Sequence, residues 1–78
     1  MAKISAYGAT EVARIRCENN YGTTYLYVLC SDGRILYRPT GYPGTSYTVR
    51  GKLTKPEHIN AEYLEKVVRY KDRMLPIA

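Results

Sequence analysis

The alternation of apolar and polar side chains predicts most of the secondary structure of this chain. It indicates four strands, over residues 11–18, 24–30, 34–38 and 47–53. The first and fourth alternate apolar with basic or polar side chains, which is the period of a half-buried strand. The second is apolar or aromatic at nearly every position, which is typical of a central strand with neighbours on both sides. Asp32-Gly33, between the second and third strands, predicts a hairpin.

One helix is predicted over residues 60–74. At 100° per residue, one half of its circumference is mainly apolar and the other half is charged. Asn60 is a candidate N-cap, and Thr54 with Glu57 has the spacing of an earlier capping box. Pro76 is expected to stop the helix, because proline has no backbone N–H to donate.

Together these elements predict a single α+β domain over residues 1–78. Its expected architecture is an antiparallel three- to four-stranded meander with one C-terminal helix packed on one face. A small curled β-barrel capped by the helix fits the same pattern and stays open as an alternative. Residues 3–7 are expected to form a lead-in or a short edge strand, and the Pro- and Gly-rich residues 39–46 a loop.

Turn lengths predict which side chains share a face of the sheet. A two-residue loop at Asp32-Gly33 places Cys30 opposite Ile35, and a four-residue loop over residues 19–22 places Cys17 opposite Thr24. The face toward the helix then carries Ala13, Ile15, Cys17, Leu26, Val28, Cys30, Ile35 and Tyr37. The other face carries Arg14, Arg16, Tyr25, Tyr27, Leu29, Arg34, Leu36 and Arg38, joined by Arg50 and Lys52 if the fourth strand keeps the register. We expect this second face to be open and to form the binding surface.

The charge distribution adds to this expectation. The chain has a formal net charge of +5, and residues 1–53 hold seven basic and three acidic side chains, or +4 of it. Five of the seven are arginines, whose planar guanidinium suits phosphate oxygens and stacks on aromatic rings. All nine aromatic residues are tyrosines, which have an apolar body and a polar tip and suit interfaces.

The residue types argue against catalysis and against cofactors. The one histidine, His58, is expected at the start of the helical region, and the predicted register separates Cys17 from Cys30 by roughly 20 Å. Two free thiols are therefore expected, since a disulfide needs Cα atoms within about 7 Å. We expect no enzyme activity, metal site, cofactor or small-molecule substrate.

The N-terminus has no signal-peptide core and no segment is apolar enough to span a membrane, so a cytoplasmic location is expected.

The residues therefore indicate a small binding module, with three possible roles. The Arg- and Tyr-rich face is expected to bind a protein partner or a second copy of the chain, with Leu29 and Leu36 as its apolar centre. Alternatively it binds single-stranded DNA or RNA, with Tyr25 and Tyr27 stacking on bases and the arginines neutralising phosphates. A purely structural role in a larger complex is the third possibility.

The stretches MAKISAYGATEVARIR and YLYVLCSDGRILYR resemble short uncharacterised accessory proteins of bacteriophages that infect actinobacteria. The resemblance covers about the first half of the chain and includes no catalytic or binding motif. It implies action in the cytoplasm of an infected bacterium, by binding a host protein or nucleic acid.

Overall fold

The computed structural model describes residues 3–4, 9–41 and 46–77, and these form an antiparallel sheet with a helix on one face. The strands are β1 (Lys3–Ile4), β2 (Ala9–Glu18), β3 (Thr24–Cys30), β4 (Arg34–Pro39), β5 (Thr48–Lys52) and β6 (Leu75–Pro76). Their order is β1-β2-β3-β4-β5, and β6 pairs with the end of β2 that β1 leaves free. A 3₁₀ turn over Pro56–His58 leads into α1 (Ala61–Lys66), which continues as a π-helical turn over Val67–Lys71.

The predicted fold class is confirmed. The four long strands form an antiparallel meander and the C-terminal helix packs on one face. The described strands form an open sheet rather than the alternative barrel. In the predicted lead-in over residues 3–7, Lys3–Ile4 forms the short edge strand β1. The rest of that segment, and residues 42–45 of the predicted loop over residues 39–46, lie outside the described residues.

The helix begins where it was predicted and ends earlier. The side chain of Asn60 accepts a hydrogen bond from the backbone N–H of Tyr63 at 2.8 Å, so Asn60 is the N-cap. At the other end the π-helical turn closes with Arg73 in the left-handed region, at φ 55°. The prediction of helix as far as Met74 was wrong, because the chain after Arg73 runs back along β2 as β6.

Both turns that flank β3 are one residue longer than predicted. The first spans Asn19–Thr23, where the Asn19 side chain accepts from the backbone N–H groups of Tyr21 and Thr23. The second spans Ser31–Gly33 and closes with Gly33 donating to the Cys30 carbonyl at 2.9 Å. Gly33 has φ 97°, and a Cβ there would lie 2.1 Å from the Leu53 carbonyl oxygen, so only glycine fits.

These longer turns correct the predicted register of β3. Cys17 lies opposite Tyr25 rather than Thr24, and Leu29 rather than Cys30 lies opposite Ile35. A slip of one residue turns every side chain of a strand to the other face. The two slips cancel between β2 and β4, so those strands keep their predicted faces and β3 alone is reversed.

The corrected register produces two buried apolar clusters, one on each face. On the face toward the helix, which we call the helix-side face, the cluster contains Cys17, Tyr27, Leu29, Ile35, Leu64, Val67 and Val68. On the opposite face, which we call the far face, it contains Leu26, Val28, Cys30 and Leu36. All of these side chains are at most 6 % exposed. The expectation that the far face lies open at its centre is therefore wrong.

Candidate functional site

The register divides the predicted binding residues between the two faces. Arg14, Arg16, Arg34, Leu36, Arg38 and Lys52 lie on the far face, as predicted. Tyr25, Tyr27 and Leu29 lie on the helix-side face because β3 is reversed, and there Tyr27 and Leu29 belong to the core. The prediction of one surface holding all ten residues was wrong.

Arg50 also leaves the predicted surface, for a different reason. The pairing of β5 with β4 shifts between Leu36, which lies opposite Val49, and Ile35, which lies opposite Gly51. Arg50 is the extra residue at this bulge, and a bulge re-aims the side chain that it inserts. The Arg50 guanidinium binds the Asp72 carboxylate at the end of the helix, with Nε 3.0 Å from both oxygens and Nη2 2.6 Å from Oδ1.

Asp72 also accepts a hydrogen bond from the hydroxyl of Tyr27, at 2.7 Å. Burial alone would raise the pKa of Asp72, but the hydrogen bonds from Arg50 and Tyr27 and the charge of Arg50 lower it below its ordinary value. Burial and the same Asp72 carboxylate raise the pKa of Tyr27 above its ordinary range. This network joins β3, β5 and the helix end, and it is fully formed within the chain. We therefore assign it a structural role.

Sequence reasoning missed the network because a regular helix over residues 60–74 places Asp72 on its charged outer half. The π-helical turn over Val67–Lys71 displaces Asp72 from the regular helical spacing, and no feature of the sequence predicts this turn. Beside the network, Tyr25, Tyr27 and Tyr37 line a shallow depression of about 350 Å³. The rings of Tyr27 and Tyr37 stack with centroids 5.6 Å apart.

The far face carries five basic side chains around its buried cluster, which we call the cationic frame: Arg14, Arg16, Arg34, Arg38 and Lys52. Arg16 on β2 and Arg38 on β4 both lie opposite Leu26 of β3, so the three residues form one row across the sheet. Since strands lie about 4.8 Å apart, the Cα atoms of the two arginines are roughly 10 Å apart. Arg14 follows along β2 at roughly 7 Å, and Lys52 lies opposite Arg34.

The members of the frame differ in their partners. Arg14 binds the Glu11 carboxylate, and Arg34 binds Asp32 at 2.7 Å. The guanidinium of Arg38 lies 5.5 Å from the ring centroid of Tyr47, which packs on the apolar cluster. Within the described part of the chain, no ion pair is formed by Arg16, Arg38 or Lys52. These three side chains remain available to an anionic ligand.

The two cysteines are free and buried, as predicted. Cys17 lies 3.5 Å from the Met74 sulfur, and burial raises the pKa of Cys17 to about 11. Burial also raises the pKa of Cys30. Both thiols are therefore protonated at neutral pH, and a protonated thiol is a poor nucleophile and metal ligand. His58 stacks on Tyr63, with ring centroids 4.1 Å apart.

The described residues contain no group of three or more His, Cys, Asp or Glu side chains arranged to hold a metal ion. Among them, too, no helix combines the length and apolar character required to cross a membrane.

Comparison with protein-family models, with curated proteins and with solved structures finds no match to this chain.

Proposed function

We propose that this chain is a small non-catalytic module that binds the phosphate backbone of nucleic acid through the cationic frame. The observation that carries the proposal is the composition of the far face after the register is corrected. Four of its five basic residues are arginines, and the apolar cluster that they surround is buried. Arginine presents several N–H donors in one plane and so matches phosphate oxygens.

The same face now supports a protein interface less well. Interface hot spots are enriched in aromatic and arginine side chains that enter pockets of the partner, and they cluster at the desolvated centre of the interface. Here Leu36 is 0 % exposed, while Leu29 and Tyr27 point into the core of the other face. Among the described apolar side chains of the far face, Val49 is the one that is largely exposed. A dimer built on Leu29 and Leu36 has no basis in this arrangement.

The mode of binding also differs from the sequence-based hypothesis. Proteins that bind single-stranded nucleic acid stack exposed aromatic rings on successive bases. Tyr25 and Tyr27 lie on the helix-side face, and Tyr47 on the far face lies beneath Arg38. We therefore propose contacts to the sugar-phosphate backbone with no reading of base sequence, so that duplex DNA binds at least as well as a single strand. A bacteriophage origin and a cytoplasmic location, where nucleic acid is accessible, are part of the same proposal.

The test is fluorescence anisotropy with a labelled DNA duplex and with its separated strands, over a range of salt concentrations. The logarithm of the binding constant should fall linearly with the logarithm of the salt concentration, because each neutralised phosphate releases counterions. Replacing Arg16 and Arg38 by glutamine should reduce the slope by roughly one unit for each arginine. Changing the base sequence should leave the affinity within about twofold.

The matched control is Lys66→Gln, which removes one positive charge from the exposed surface of α1. It should leave the slope unchanged. No binding of either DNA at low salt would overturn the proposal, as would equal losses from Lys66→Gln and Arg16→Gln. Binding that strongly favours single strands and depends on their bases would instead support base stacking.

A further inference from the structure

A second exposed surface lies at the end of the helix, where the chain continues into β6. Here Tyr70 is 76 % exposed and Leu75 is 62 % exposed. Together with Asn20, Arg69, Arg73 and Met74 they line a depression of about 460 Å³, which we call the helix-end surface. It thus pairs exposed apolar groups with two arginines, the combination found at the centres of protein interfaces.

The charges around this surface indicate the chemistry of a partner. Asp72 lies between the two arginines in sequence, but its carboxylate is bound by Arg50 and Tyr27 on the sheet. Arg69 has a loose pair with Glu65 at 3.4 Å, in which both side chains are about half exposed. Such exposed pairs contribute little stability, so they compete weakly with another carboxylate. Glu18 lies opposite Leu75 on β2, so the positive charge of this surface is concentrated at Arg69 and Arg73. At these two residues the surface complements the carboxylates of an acidic segment.

The backbone at Arg73 adds a second observation. Its φ of 55° lies in the left-handed region, which glycine occupies more readily than any residue with a side chain. Helices that end in this conformation usually have glycine at that position. An arginine there holds a positive charge beside the depression at a cost to the stability of the fold.

We infer that the helix-end surface binds an acidic peptide segment of a partner protein, with an apolar side chain of that segment entering between Tyr70 and Leu75. Arg69 and Arg73 then bind the flanking carboxylates. Arg69 and Arg73, the two cations of this surface, are distinct from the five side chains of the cationic frame.

The probe is a short fluorescein-labelled peptide in which glutamates flank one leucine, titrated against the full chain in an anisotropy assay. Two matched peptides replace the glutamates by glutamines or the leucine by alanine. We expect the first peptide to bind at least about tenfold more tightly than either of the others, since each change removes one kind of contact. Equal affinities for all three peptides would overturn the inference.

The decisive variant is Arg73→Gly, because its effects on folding and on binding are opposite. Glycine relieves the backbone at this position, so the midpoint of thermal unfolding should rise by roughly 2–8 °C. Affinity for the glutamate–leucine peptide should nevertheless fall about tenfold. Arg38→Gln is the control, because Arg38 belongs to the cationic frame but lies on β4, two strands away from the strand that pairs with β6. It should weaken DNA binding and leave peptide binding unchanged. A more stable Arg73→Gly protein that still binds the peptide fully would show that Arg73 has no role in recognition.

Discussion

Arg50 and Arg16 lie on opposite faces of one sheet, and their surroundings differ in almost every respect. The Arg50 guanidinium donates hydrogen bonds to both carboxylate oxygens of Asp72, and Asp72 also accepts a hydrogen bond from the Tyr27 hydroxyl. Arg16 is exposed and forms no ion pair within the described residues. The helix-side face uses arginine and tyrosine to connect elements of the fold, whereas the far face keeps arginines accessible around a buried centre. Residue type alone therefore does not identify a binding residue.

The largest expected effects test whether each face of the sheet contains a buried apolar cluster. Leu29→Ala on the helix-side face and Leu36→Ala on the far face should each lower the free energy of unfolding by about 2–5 kcal/mol, because both side chains are 0 % exposed. Urea or thermal denaturation measures the loss, and Leu75→Ala, at an exposed position, should cost less than about 0.5 kcal/mol. A negligible cost at Leu36 would mean that the centre of the far face is open to solvent.

The next effect tests the network on the helix-side face. Arg50→Gln removes the cation that neutralises a largely buried carboxylate, and should lower the free energy of unfolding by about 1–3 kcal/mol. Asp72→Asn should have a similar cost, and the double variant should cost less than the two single changes added together, because the partners interact. Strict additivity in urea denaturation would show that the two side chains do not stabilise each other.

Acid should weaken the same network. The pKa of Asp72 is lowered in the folded protein, so its contribution to stability is present above the unfolded value of about 3.9 and is lost as the pH falls through the lower folded value. The urea midpoint of the natural chain should therefore fall as the pH drops below about 4. Asp72→Asn should flatten this dependence, although Glu11 and Asp32, whose pKa values are also lowered, retain part of it. An identical pH profile in both proteins would contradict the assignment.

The smallest expected effect completes the comparison of the two arginines. Arg16→Gln should change the free energy of unfolding by less than about 0.5 kcal/mol, since the side chain is exposed and forms no ion pair with the residues that the structure describes. The same denaturation assay as for Arg50→Gln makes the two values directly comparable. If Arg16→Gln cost as much as Arg50→Gln, the far-face arginines would be structural rather than available to a ligand.

The chain sequence was informative wherever its pattern was regular. β2 and β4 alternate, so the sides on which Cys17 and Arg16 lie could be predicted before any register was known. Asn60 marked the helix start because its side chain meets an unpaired N–H of the first turn. The free thiols were also predicted, and they remain far apart along β2 and β3 even after the register is corrected.

The candidate site was predicted only in part. Because β3 is apolar on both sides, its sequence does not indicate which side faces the helix. One extra residue in each flanking turn decided that, and with it the positions of Tyr25 and Tyr27. The bulge that turns Arg50 toward Asp72 and the π-helical turn that precedes Asp72 arise from pairing and packing across the molecule. Local alternation thus determined the elements and the faces of the outer strands. The burial of the central strand, and the division of the arginines between a structural network and an accessible frame, depended on contacts between residues distant in sequence.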